Sequence, residues 1–200
     1  MSLHNVAFIH IPKTGGLAIE ETLCLESLRA ERNVEKFFTQ SGHICFGHQN
    51  YSDLCRRGVI SEEFDKTAFK FAFCRNPYDR AVSFWEHARL RRPEVAGSAP
   101  TFLEFVHRME ELDYKPQSWW LHDVQLSYLG RFENLEMHVR EIARIIGREI
   151  KGEVVKKNVT PHSPYWQYYC DESKRLVETY SLEDFERFGY ERDDNMLGGA

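Results

Sequence analysis

Residues Val6 to Ile11 form a mostly apolar run that Pro12 stops, and the chain then passes straight into Lys13-Thr14-Gly15-Gly16. Such a run reads as a buried strand, since proline cannot donate to a sheet ladder and ends the pairing. Two consecutive glycines permit backbone angles that turn successive N–H groups toward one point, a geometry suited to an anion. The segment Leu17 to Arg29 has apolar residues at Ile19, Leu23 and Leu28 and no internal breaker, so it predicts a helix whose start faces that point. Strand, lysine-bearing turn and helix in this order point to a phosphate-holding loop, with a tight connection and an exposed lysine as the plainer alternative. The order differs from the G-x-x-x-x-G-K-[ST] loop of P-loop NTPases, because here lysine and threonine precede the glycines.

With 200 residues, 42% of them hydrophobic, the chain can bury one substantial core, and a single domain over residues 1–200 is expected. A net charge of −5 argues against broad nucleic-acid binding, which depends on clustered basic residues. The one compact basic run, Arg89, Arg91 and Arg92, fits either an anionic partner or a solvated helix end. Five cysteines without a C-x-x-C pair read as free thiols in a reducing compartment. No run is apolar enough to span a bilayer and residues 1–5 leave no room for a leader, so a cytoplasmic protein without a membrane partner is expected. Neither H-E-x-x-H nor paired cysteines occur, and no metal is expected.

Further along, strands and helices alternate, which predicts an α/β layer structure. Ile44–Gly47 reads as a short strand ending at His48, Ser52–Arg57 and Ser61–Lys66 as short helices, and Thr67–Cys74 as a strand. Pro77–Leu90 fits a helix with Asn76 as cap and proline at its first position. Arg92–Pro100 reads as a loop, and Thr101 to Glu104 has capping-box spacing ahead of another helix. Leu126–Phe132 is a predicted strand, and Asn134 is placed to cap a helix that Gly147 ends. Lys156–Pro164 reads as a loop and the tail from Tyr165 as mainly helical.

Phe69 to Ser83 repeats the strand-turn-helix design. Arg75 stands where the strand ends, and Ser83 lies about two turns beyond Asn76 on a similar helix face. The planar fork of an arginine suits phosphate. The plainer alternative pairs Arg75 and Arg80 with Asp79 or Glu86 on a solvated surface.

Ile11-Pro12-Lys13-Thr14-Gly15-Gly16 together with Cys74-Arg75-Asn76-Pro77-Tyr78-Asp79-Arg80-Ala81-Val82-Ser83 resembles the two cofactor loops of sulfotransferases that use 3′-phosphoadenosine 5′-phosphosulfate. The chain is most similar to the carbohydrate branch, including heparan sulfate 2-O-sulfotransferases, and its small bacterial relatives. Tyr128–Leu135 and Tyr180–Tyr190 also resemble that family, whereas residues 88–125, where the acceptor would bind, carry no motif that places them. The resemblance implies a three-layer, P-loop-like α/β fold with a central, mainly parallel sheet flanked by helices. It implies that Lys13, Thr14, Gly15 and Gly16 hold the 5′-phosphosulfate, that Arg75 and Ser83 hold the 3′-phosphate, and that no metal is used.

Gly47-His48 resembles a Gly-His step in the heparan sulfate branch whose histidine is a proposed base, and an imidazole titrating near neutrality suits that task. Those enzymes carry a further histidine two positions earlier, where Phe46 stands here. Lys156–His162 resembles the family's late basic loop, which implies nucleotide contacts from Lys157 and Thr160, with a solvated charged loop as the alternative. His10 reads as a hydrogen-bonded core residue and His43 as a loop residue. Trp119-Trp120 and Tyr165–Tyr169 read as core aromatics or as surfaces for stacking on adenine or sugar. The expected activity is sulfuryl transfer to a small-molecule or glycan hydroxyl. An ATP-dependent small-molecule kinase and a non-catalytic nucleotide-binding module are the competing classes, and oligomeric state is not legible.

Overall fold

A computed structural model describes residues 3–29, 41–154 and 162–192. Among them β1 (Asn5–His10), β2 (Glu26–Arg29), β3 (Gly42–Gly47), β4 (Phe69–Cys74) and β5 (Tyr128–Arg131) form one sheet in the order β2-β3-β1-β4-β5. Every neighbouring pair is parallel, so the α/β architecture expected from the sequence is the one observed. After β1 the chain builds one side of the sheet with β2 and β3, then the other with β4 and β5, so the winding reverses at β1. Open parallel sheets bind ligands at the carboxyl ends of their strands beside such a reversal. The turn that leaves β1 there is Pro12–Gly15.

The described residues fall into two compact units. One comprises those up to Cys74 and from Trp119 to Val154, the other Arg75–Ser118 and those from His162 on. In the first unit both faces of the sheet are covered. Val6, Phe8, Cys45, Phe71 and Phe73 pack against Ala18 and Ile19 of α1 (Gly16–Thr22) and against Leu135, Val139 and Ile142 near the end of the chain's excursion into this unit. On the opposite face the Phe46 ring meets Tyr51 of α2 (Tyr51–Arg56) and Phe64 of α3 (Glu62–Thr67), with centroids 5.2 and 6.2 Å apart. Strands covered on both faces need apolar side chains at successive positions, which is why β1 and β4 read as near-continuous hydrophobic runs.

In the second unit Asn76 accepts the Tyr78 N–H at 2.9 Å and starts α4 (Pro77–Arg91), as expected from the sequence. Residues Pro93–Ser98, expected as a loop, form a short helix, α5. Thr101 and Glu104 make the predicted capping box at the start of α6 (Phe102–His107). Tyr78, Val82 and Trp85 of α4 share a core with Phe102 and Phe105 of α6 and with Val177 and Phe185. A further short helix, α7 (Gln117–Trp120), is absent from the sequence reading. The chain ends its described course in α9 (Asp171–Tyr180) and α10 (Leu182–Phe188), after α8 (Leu135–Ile145) of the first unit.

Two boundaries and one cap differ from expectation. Helix α1 stops at Thr22 instead of running to Arg29, because Cys24 turns left-handed at φ 46° and the Leu25 N–H bonds back to the Glu20 carbonyl at 2.9 Å. Glu26–Arg29 then pairs with β3 as an edge strand. Strand β5 is shorter than Leu126–Phe132, since Phe132–Asn134 tightens into a 3₁₀ turn. Asn134 occupies the cap position of α8 but its side chain makes no capping hydrogen bond.

Candidate functional site

The loop after β1 owes its shape to four neighbouring residues with different tasks. Lys13 is left-handed at φ 69° and Gly15 at φ 83°, a conformation costly for residues other than glycine. Between them Thr14 is fully buried, and its hydroxyl donates to the Ile11 carbonyl at 2.9 Å, which ties the loop back to the strand end. Gly16 has no unusual φ. A Cβ there would lie 1.8 Å from Nε2 of His10, so this glycine is required by space. A residue with strained backbone such as Lys13 persists only where its surroundings over-determine it, and such residues cluster at binding sites.

His48 is placed next to this loop by the sheet. Gly47 is the register partner of His10 in the parallel β1–β3 pair, so His48 and the Lys13 loop leave the same edge from adjacent strands. Its N–H donates to the His10 carbonyl at 3.2 Å and its φ is 55°, a left-handed turn that directs the chain out of the sheet. The imidazoles of His10 and His48 meet edge to face, 4.7 Å apart. His48 is exposed, whereas His10 is buried as expected and stacks on Phe8. Other titratable groups just beyond His48 remain protonated near neutrality. Burial and the Asp65 carboxylate push the Tyr51 hydroxyl far up, and burial pushes the Cys55 thiol up to about 11.

Arg75 and Ser83, in the second unit, are both buried. The Arg75 Nε donates to Asp79 at 2.7 Å, one turn along the chain, so the predicted Arg75–Asp79 pair exists but is sheltered from solvent. Arg80 instead donates to the Lys115 carbonyl at 2.9 Å and lies over the Tyr114 ring, and Glu86 pairs with Arg89. The backbone of Arg75 is gripped on both sides by one amide: its N–H donates to Gln117 Oε1 at 2.8 Å and its carbonyl accepts from Gln117 Nε2 at 2.9 Å. Gln117 is held in turn by the fully buried Asp184, which accepts the N–H groups of Gln117 and Ser118 at 2.7 Å each. The sequence reading missed Gln117 and Asp184. They lie 42 and 109 positions from Arg75, and no local spacing links them.

Several smaller expectations resolve. His43 belongs to β3 instead of a loop, with Nε2 bonded to the Leu3 carbonyl at 2.9 Å and Nδ1 accepting from Arg148. Trp119 and Trp166 are exposed at 41% and 51%, while Tyr169 joins the core of the second unit. Lys157 and Thr160 lie outside the described residues.

A parallel α/β sheet with a lysine-glycine loop at its reversal point and a histidine on the adjacent strand end has the layout in which open α/β folds bind their ligands. The family model described as the sulfotransferase family matches residues 2–191, and the chain belongs to that family. It is accordingly a transferase of sulfuryl groups. No curated protein matches the chain. Among the described residues no helix is long and apolar enough to cross a membrane.

Proposed function

We propose that the protein transfers the sulfuryl group of 3′-phosphoadenosine 5′-phosphosulfate to an acceptor hydroxyl, with carbohydrate as the acceptor class, and that both units serve one catalytic domain. The observation that carries this reading is the β1–β3 register, which brings the Lys13 loop and His48 out of one sheet edge side by side. Transfer needs two services at one centre. Negative charge grows on the bridging oxygen as sulfuryl departs, and the acceptor must lose a proton.

Lys13 answers the first need. An ammonium about 4 Å from a developing charge contributes on the order of 4 kcal/mol at an effective dielectric near 20, before its own desolvation is subtracted. Thr14, Gly15 and Gly16 complete the 5′-phosphosulfate loop, and Arg75 and Ser83 bind the 3′-phosphate. The grip of Gln117 on the Arg75 backbone and the Asp79 carboxylate that accepts from Arg75 Nε support that assignment, since a guanidinium held in place binds phosphate with less ordering cost. His48 answers the second need: it is exposed, and a positioned base contributes roughly a hundred- to ten-thousandfold in rate. Transfer runs in line from donor to acceptor, with lysine, arginine and backbone N–H groups carrying the charge.

The test pairs an acceptor screen using labelled donor with two variants. His48→Ala is expected to leave binding of 3′-phosphoadenosine 5′-phosphate intact while transfer falls about a hundredfold or more. Lys13→Ala is expected to lower both binding and turnover. Unchanged transfer by His48→Ala would remove His48 from the mechanism.

A further inference from the structure

Beneath the loop, three side chains from three elements of the first unit converge in the core: His10 of β1, Glu20 of α1 and Cys45 of β3. They are 6%, 9% and 0% exposed. The Cys45 sulfur lies 3.4 Å from Glu20 Oε2 and 3.9 Å from His10 Nδ1, and the three donor atoms are all within 4.8 Å of one another. We propose that His10, Glu20 and Cys45 form a buried site for a borderline-soft divalent cation, zinc by its donor set, which acts structurally beneath the loop.

The spacing fits the ion. Zinc sits about 2.3 Å from a thiolate and about 2.0–2.1 Å from imidazole nitrogen or carboxylate oxygen, so angles within about 10° of tetrahedral put the sulfur roughly 3.3–3.8 Å from the other two donors. The sulfur–carboxylate separation falls in that interval and the sulfur–imidazole separation lies about 0.1 Å beyond it, a shift that a small turn of the ring supplies. Thiolate, imidazole and carboxylate together select zinc and its neighbours over magnesium or calcium, which prefer oxygen alone.

Binding conserves charge in a definite way. The Cys45 S–H gives its proton to solvent as the metal–sulfur bond forms, His10 coordinates as neutral imidazole through Nδ1, Glu20 coordinates through one carboxylate oxygen, and a water taken up with the ion supplies the fourth donor. Its other nitrogen, Nε2, is the atom that faces Gly16, and the ring lies 4.7 Å from that of His48. A filled site therefore pins the ring that underlies the loop. No step of sulfuryl transfer runs through the ion, and its test needs neither donor nor acceptor, so its failure would leave the transferase reading untouched.

The experiment titrates the chelator-treated full-length protein with cobalt(II). The expected result is one equivalent bound with the intense visible bands of a tetrahedral ion and a near-ultraviolet thiolate-to-cobalt band, displaced by zinc, which also raises the melting temperature. Cys45→Ser should lose the thiolate band, and Glu20→Gln should weaken cobalt binding by about tenfold or more. Because Cys24 and Cys170 are exposed thiols, the same titration is run on the double variant Cys24→Ser/Cys170→Ser, which also serves if Cys45→Ser fails to fold. Persistence of the band in the double variant supports the site. Loss of the band there, its survival in Cys45→Ser, or an octahedral spectrum in the wild type would overturn it.

Discussion

Gly15 and Gly16 are neighbours with unlike requirements, and substitution separates them. Gly15 supplies a left-handed turn, while Gly16 supplies room for the His10 ring, which would otherwise sit 1.8 Å from a Cβ. The ring is buried against Phe8 and cannot swing away cheaply. Gly16→Ala is therefore expected to destabilise the protein by about 1–3 kcal/mol, read as a lower urea midpoint with an unchanged slope. An unaltered midpoint would mean that the ring has somewhere to go. The sequence showed both glycines but attributed both to backbone angles. Space at Gly16 depends on a strand residue six positions earlier whose side-chain direction only the fold defines.

A second residue-scale expectation concerns pH. His138 of α8 accepts or donates at Nδ1 with the Tyr128 hydroxyl at 2.7 Å, and burial, partly opposed by the Glu141 carboxylate, lowers its pKa. A histidine whose folded pKa is depressed binds protons more readily when unfolded. Its contribution is complete above the ordinary histidine range, near 6.5, and is lost as pH falls from there toward the folded value. Melting temperature measured across that window should decline less steeply for His138→Gln than for the wild type. Equal slopes would show that His138 is not the group responsible.

At the scale of elements, the legible signals were those set by local chemistry. Apolar runs in β1 and β4, the Asn76-Pro77 start of α4 and the Thr101/Glu104 box all appear where the sequence places them. Thr101 accepts the Glu104 N–H at 3.3 Å while Glu104 accepts the Thr101 N–H at 2.9 Å. Thr101→Ala should cost about 1 kcal/mol by chemical denaturation, within the range for exposed caps. The failures were tertiary in origin. Residues 17–29 carry helical spacing, yet β3 offers Glu26–Arg29 a ladder to join, and the left-handed Cys24 breaks the helix before it. Propensity over a dozen residues does not outweigh a sheet edge seeking its partner.

For the whole molecule, alternation of elements foretold an α/β fold, and the family resemblance foretold its mainly parallel sheet. The strand order did not follow from the sequence, and it is the order that sets β1 at the reversal point with β3 beside it. Likewise Lys13 and His48 stood out one by one as candidates, through motif resemblance, whereas their shared sheet edge required the register. Gln117 and Asp184 were illegible, being joined to Arg75 only through folding over long separations.

The central claim is that this chain binds a 3′-phosphorylated adenine nucleotide in place of a triphosphate. Calorimetric titration of the full-length protein with 3′-phosphoadenosine 5′-phosphate, set beside ATP with magnesium, tests it directly. The account predicts preference for the bisphosphate without magnesium, weakened about tenfold or more by Lys13→Ala and by Arg75→Ala separately. Tighter binding of ATP with magnesium would contradict it.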